Sequence, residues 1–169
     1  ADLARRGVRI RIIDKSPSPS TTSKAFGVQA GTLEQIENVF GSKVCDEMIL
    51  EGQPTKEAFL HVDRNPAIQV DLSQIKSCYN YILILAQSET ERILNGVLES
   101  YGCRVERSTE LTGLEQKDND VISVLKQADG TEAKVRSRYV VGCDGSHSTV
   151  RHLLGVPFVG DMYSGTFLL

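Results

Sequence analysis

The 169 residues are 40 % hydrophobic and 24 % charged, the balance of an ordinary globular chain long enough to bury one sizeable core. The formal net charge is -3 and no basic cluster is denser than Arg5-Arg6, which argues against a nucleic-acid partner. The longest apolar run, residues 81–86, is too short for a membrane span, and no signal-peptide pattern is visible.

In chain order, residues 1–7 read as a helix end. Leu3 is apolar, Arg5 and Arg6 suit the negative end of the helix dipole, and Gly7 stops it. Val8, Ile10, Ile12 and Ile13 then predict a strand ending at Asp14, followed by a Pro/Ser turn. Thr32 with Gln35 has the form of a capping box, and Leu33, Ile36, Val39 and Phe40 make the apolar face of a helix that Gly41 ends. Residues 57–71 alternate around Asn65-Pro66 as a hairpin. "YILILAQ", 81–87, is a buried segment. Ser88 and Glu91 form a second capping box, opening a helix with Ile93, Leu94, Val97, Leu98 and Tyr101 on one face and Gly102 at its end.

Residues 103–107 predict a short strand. Segments near 110–117, 121–128 and 132–137, parted by Lys117-Asp118-Asn119-Asp120 and by Asp129-Gly130, predict an antiparallel meander. "RYVVGCDG" is a further apolar strand running into a glycine turn, and Ser146 opens a helix bearing Val150, Leu153 and Leu154. This order argues for an α/β fold with a parallel sheet and an antiparallel insertion. Cys45, Cys78, Cys103 and Cys143 are widely spaced and include no C-x-x-C. They read as buried or half-buried thiols of a reducing compartment, hence a cytoplasmic protein. His61 and His152 have no acid or cysteine at ligand spacing, so no metal site is expected.

Two stretches carry chemistry. An acid at the end of the second strand of a Rossmann unit accepts hydrogen bonds from an adenosine ribose, about 20 residues after a glycine loop that holds the pyrophosphate. Asp14 has that strand-end position, and a count of that length runs back past Ala1. In "YVVGCDGSHSTVR", 139–151, a helix start attracts phosphate, Gly145 lets a ligand approach the backbone, and Asp144 can accept from sugar-like hydroxyls. Each has a plainer reading: Asp14 as a solvated strand-end acid, Gly142 and Gly145 as turn formers, Ser146 and Ser148 as caps, His147 as a surface residue, and Arg151 as structural.

G-x-D-G-x-x-S-x-x-R after an apolar strand resembles a motif of the FAD-dependent aromatic-ring hydroxylases, the p-hydroxybenzoate hydroxylase class of flavoprotein monooxygenases. "LARRGVRIRIIDK", "SKAFGVQAGTLEQI", "LAQSETERIL" and "GVPFVGDMYSGTFLL" resemble other stretches of that family in the family's order, so the resemblance covers nearly the whole chain. It implies an α/β, Rossmann-like FAD-binding domain with a parallel sheet and a three-stranded antiparallel meander, truncated at both ends. A first strand and G-x-G-x-x-G would precede Ala1, the third glycine roughly 5 residues before it. A G-D-A-x-H-type motif would follow Leu169, and a substrate domain would start near 157–169.

The resemblance also implies roles. Asp14 would bind the adenosine ribose with Lys15 beside it, Gln29 would lie along the flavin, and Gln87 would contact the ribityl or pyrophosphate region. Val105 would offer backbone groups to the adenine. Asp144, with Gly145, would bind the pyrophosphate-ribityl part. No residue is assigned as a catalytic acid or base. FAD is the implied cofactor, NAD(P)H its reductant, and O2 with a small aromatic or phenolic molecule the substrates; a homodimer is compatible with it. The alternatives are a non-catalytic relative acting as an interaction module and another FAD oxidoreductase, such as a halogenase or reductase. The absence of Trp counts against a halogenase.

Overall fold

A computed structural model describes residues 1–21, 25–60 and 68–160. The chain forms two compact units, residues 1–10 with 19–104, and residues 11–18 with 105–169.

The first unit is built on a three-stranded antiparallel sheet and three helices. β2 (Gly27–Val28) and β3 (Gln53–Thr55) flank the central strand β6 (Ile82–Ile84). Their register pairs Val28 and Pro54 with Leu83. α2 (Ala30–Phe40), α3 (Ser42–Glu51) and α4 (Gln87–Ser100) supply the other wall of the core. Leu33, Cys45, Met48 and Leu83 are wholly buried, and Ile36, Leu85 and Ile93 close the cluster. The segment expected to be buried at 81–87 is so only at Leu83 and Leu85, which face the core, while the residues between and around them are half-buried.

α1 (Asp2–Arg5) ends as expected: Gly7 takes a φ of 73° and its amide donates to the Ala4 carbonyl. Arg5 and Arg6 both pair with Asp2, so one of the two charges of the densest basic pair is offset locally. Two expected helix starts are corrected. α2 begins at Ala30 with Gln29 as N-cap, and α4 begins at Gln87 with Ala86 as N-cap; neither has a side-chain cap. Both caps are the last extended residues before their helices. Their carbonyls accept from the early amides directly, at 2.9 and 3.1 Å for Gln29 and 3.0 and 3.1 Å for Ala86. Thr32 and Ser88 thus lie inside first turns, and Glu91 accepts from Gln87 Nε2 at 2.7 Å. Tyr101, expected on the inner face of α4, is the helix's C-cap and largely exposed.

Gly41 ends α2 at a φ of 89°, but another helix, α3, begins at the next residue. The sequence reading left this helix out. Gly52 after it lies so close to β6 that a Cβ there would stand 2.7 Å from Leu83 Cδ1 and 3.1 Å from the Ile84 carbonyl oxygen. Gly52→Ala is accordingly expected to destabilise the protein by about 1–3 kcal/mol, read as a lower denaturant midpoint. β4 (Glu57–Leu60) and β5 (Ile68–Asp71) form the arms of the expected hairpin; its Asn65-Pro66 turn and His61 lie outside the described residues.

In the second unit, β1 (Ile12–Ile13) pairs in parallel with β7 (Val105–Glu106), Ile12 opposite Val105. β1 is shorter than the expected 8–14 because β7 gives it only two partners. β8 (Thr109–Gln116), β9 (Val121–Gln127) and β10 (Glu132–Ser137) form the antiparallel meander, in the order β10-β9-β8. A bulge at Thr112 shifts the β8–β9 register. Gly130, at a φ of 83°, makes the second turn.

The strand expected in "RYVVGCDG" does not form among the described residues: 139–145 join no ladder. Tyr139 and Val141 are instead 83 % and 75 % exposed. Apolar composition creates a demand for burial but does not supply the neighbouring strand that a ladder needs. α5 spans only Thr149–Leu153, starting three residues later than expected from Ser146. The cysteine reading holds for Cys45, which is buried, and Cys103, which is half-buried; Cys78 and Cys143 are exposed. No helix among the described residues is long and apolar enough to cross a membrane.

Candidate functional site

Asp14 follows β1 directly, and its backbone remains in register with the 106–109 segment. Its amide donates to the Glu106 carbonyl at 2.9 Å, and its carbonyl accepts from the Thr109 amide at 3.0 Å. The side chain is 40 % exposed, and each carboxylate oxygen has one protein donor. The Ser16 amide reaches Oδ1 at 2.9 Å, closing an Asx turn, and Arg107 Nη1 reaches Oδ2 at 2.7 Å. A carboxylate offers about four lone-pair sites, so two remain for a ligand's hydroxyls. Lys15 is exposed beside it, and Val105 stands opposite Ile12, so the parallel pair β1–β7 brings together the three residues expected on the adenosine side.

Asp144 and Gly145 stand on the loop before α5. The Asp144 carboxylate accepts from Ser148 Oγ at 2.5 Å and from the Val150 amide at 3.1 Å, while Ser148 Oγ accepts from the Arg151 amide at 3.0 Å. Two amides of the helix's first turn are thereby satisfied by two side chains. Ser148, not Ser146, is the cap. Gly142 presses on the same turn, where a Cβ would come within 2.9 Å of Val150 Cβ. Gly145, at a φ of 74°, has open space where a Cβ would be. The backbone there is accessible to a ligand, and a side chain would be strained.

The Ser148 hydroxyl, with help from the Val150 amide, holds the Asp144 carboxyl below the ordinary carboxylate range. A depressed pKa means that the charged carboxylate stabilises the loop fully above about pH 4, the unfolded value. That contribution disappears as pH falls through the folded pKa. The expected result is that the Val150 amide is protected from hydrogen exchange at pH 6 and loses protection, relative to the β8–β9 amides, in acid.

In the first unit, Gln29 and Gln87 are not neighbours. β2 and β6 run antiparallel with Gly27 opposite Ile84, and the Gln87 amide donates to the Ala25 carbonyl at 3.1 Å. Gln29 therefore leaves one end of this strand pair and Gln87 stands at the other. The sequence reading missed Arg107, the partner of Asp14. A basic residue just beyond the strand that pairs with β1 was the available signal. The second unit also has a cavity of about 660 Å³, lined by Lys117, Asp120, Arg138, Tyr139 and Leu154 among others; it includes none of the expected cofactor residues. No His, Cys, Asp and Glu grouping suited to a metal occurs among the described residues.

The family model described as "FAD binding domain" matches residues 1–168. Pentachlorophenol 4-monooxygenase of Sphingobium chlorophenolicum is 33 % identical over 168 residues, 99 % of this chain and 31 % of that protein. 6-Methylpretetramide 4-monooxygenase of Streptomyces rimosus is 34 % identical, over 95 % of this chain and 28 % of its own length. Among solved structures, an anhydrotetracycline hydroxylase from Streptomyces rimosus superposes with a TM-score of 0.84 at 29 % identity, covering 95 % of this chain and 32 % of that one. The p-nitrophenol 4-monooxygenase of Pseudomonas putida, at 20 % identity and a TM-score of 0.88, shares the fold over 96 % of this chain and 41 % of its own. The chain thus spans about a third of the length of these relatives. It belongs to the FAD-binding-domain family, and the relatives named above are monooxygenases and a hydroxylase.

Proposed function

We propose that this chain is part of the FAD-binding domain of an NAD(P)H-driven monooxygenase that hydroxylates a small aromatic or phenolic molecule with O2. The observation that carries the reading is Asp14: a half-exposed carboxylate at the end of a parallel strand pair, held by one donor on each oxygen and with acceptor capacity to spare. This is the chemistry that binds a ribose diol. FAD, when bound, supplies the redox chemistry that these side chains lack.

The chain's own residues bind and orient. Asp14 would take the adenosine ribose, with Lys15 and the Val105 backbone alongside. Gly145 would admit the pyrophosphate-ribityl part to the backbone beside Asp144. By the family resemblance, Gln29 would lie along the flavin and Gln87 would contact the ribityl or pyrophosphate region. Asp144 would act with its remaining lone pairs, since both its oxygens already cap α5. No residue is assigned as the acid or base of the reaction. The names of the relatives, which include pentachlorophenol and tetracycline-type substrates, support an aromatic, phenolic ring as the substrate class.

The test is to purify the natural polypeptide and screen phenols for substrate-stimulated NADH or NADPH oxidation coupled to O2 uptake. Hydroxylated product formed in proportion to nucleotide consumed is the expected result. Failure of every phenol to stimulate oxidation in a flavin-loaded protein would remove the monooxygenase assignment.

A further inference from the structure

We propose that Arg107 is a positioning residue for the adenosine ribose, acting through Asp14. The inference rests on the assignment of Asp14 to the ribose. Arg107 and Asp14 lie 93 positions apart, yet the guanidinium meets Oδ2 at 2.7 Å while the Ser16 amide meets Oδ1. The backbone fixes both partners. The Ser108 amide donates to the Ser16 carbonyl at 3.1 Å, the Thr109 amide to the Asp14 carbonyl at 3.0 Å, and Thr109 Oγ1 to the Arg107 carbonyl at 3.1 Å. Ser108 adopts a φ of 53°, the left-handed turn that lets the chain bend between β7 and β8 here. Arg107 is more enclosed than Asp14, with 23 % of its side chain exposed against 40 %.

Two consequences follow for a ligand. A carboxylate already held in one orientation loses little rotamer freedom when ribose hydroxyls dock, so less of the binding energy is spent on ordering it. Covering a carboxylate with an adenosine also removes its water, and an adjacent guanidinium offsets part of that desolvation. The ion pair is half-exposed, so its loss should be felt weakly in folding and more strongly in binding.

The experiment measures FAD affinity of the natural polypeptide, stripped of flavin, by fluorescence titration of wild type, Arg107→Ala, Arg107→Lys, Asp14→Ala and the double variant. The expected result is that Arg107→Ala weakens FAD binding about tenfold in the wild-type background and less than about twofold when Asp14 is already Ala. Arg107→Lys should recover part of the loss, and the melting temperature of flavin-free Arg107→Ala should fall by no more than about 2 °C. Equal losses in both backgrounds would make Arg107 merely structural and overturn the proposal. Tighter FAD binding by Arg107→Ala would also overturn it, showing that the guanidinium competes with the ribose. If Asp14→Ala leaves the affinity unchanged, the ribose assignment itself fails; if Asp14→Ala binds weakly while Arg107→Ala binds normally, only the Arg107 proposal fails.

Discussion

Leu83→Ala is expected to destabilise the protein by about 2–5 kcal/mol. Leu83 is wholly buried at the middle of β6, paired with Val28 on one side and Pro54 on the other. It belongs to the cluster of Leu33, Met48, Cys45 and Ile93, contributed by three helices. Truncation removes the transfer free energy of the lost methyl groups and leaves a cavity lined by atoms that the sheet and helices hold in place. Typical domains have only about 5–15 kcal/mol of stability in all, so this one change removes a large share of it. Equilibrium urea unfolding of the natural polypeptide checks it. A midpoint shift equivalent to less than about 1 kcal/mol would show that the site collapses around the smaller side chain.

Asp144→Ala is expected to have the second large effect, on a different observable. It deprives the Ser148 hydroxyl and the Val150 amide of their acceptor, and loss of a helix-start acceptor costs about 1 kcal/mol. Because α5 has only five residues, that loss is enough to fray its first turn. The loop carrying Gly145 is tied to that turn through Asp144, so the variant should lose FAD affinity by about tenfold or more while β8–β9 amides remain protected. Asp144→Asn should fall between, since its carbonyl oxygen can still accept one of the two hydrogen bonds. Unaltered FAD affinity in Asp144→Ala, with α5 frayed, would separate this loop from the cofactor altogether.

Much of the architecture was legible where local chemistry and tertiary demand agree. The meander follows from strand segments punctuated by Lys117–Asp120 and Asp129-Gly130, and its strands lie within a residue or so of their expected limits. The hairpin arms were readable from alternation around Asn65-Pro66, and the stops at Gly7, Gly41 and Gly102 because a glycine at positive φ is a local signal. Helix starts were less legible. Thr32 and Ser88 have the right residue types, but the chain turns from extended backbone into helix before reaching them.

What stayed hidden was set by tertiary neighbours. α3 escaped because Gly41 reads as an end, although Val44, Cys45, Met48 and Ile49 have helical spacing. "RYVVGCDG" has a strand's composition, but composition does not provide a ladder partner, and among the described residues none lies beside it. At the candidate site, Asp14, Asp144 and Gly145 were visible as strand-end and turn residues. Their partners were not: Arg107 reaches Asp14 across 93 positions, and Asp144 serves α5 through Ser148 rather than standing open. Both acids therefore combine a structural role with the proposed binding role, a combination that sequence reading treats as alternatives.

The most direct test of the account is the flavin content of the natural polypeptide, purified without added cofactor and then titrated with FAD. The account expects a flavin absorption spectrum, release of FAD on denaturation, and recovery of that spectrum when stripped protein is titrated. A folded protein that carries no flavin and gives no spectral or fluorescence change with FAD would contradict it, leaving the family fold without the family cofactor.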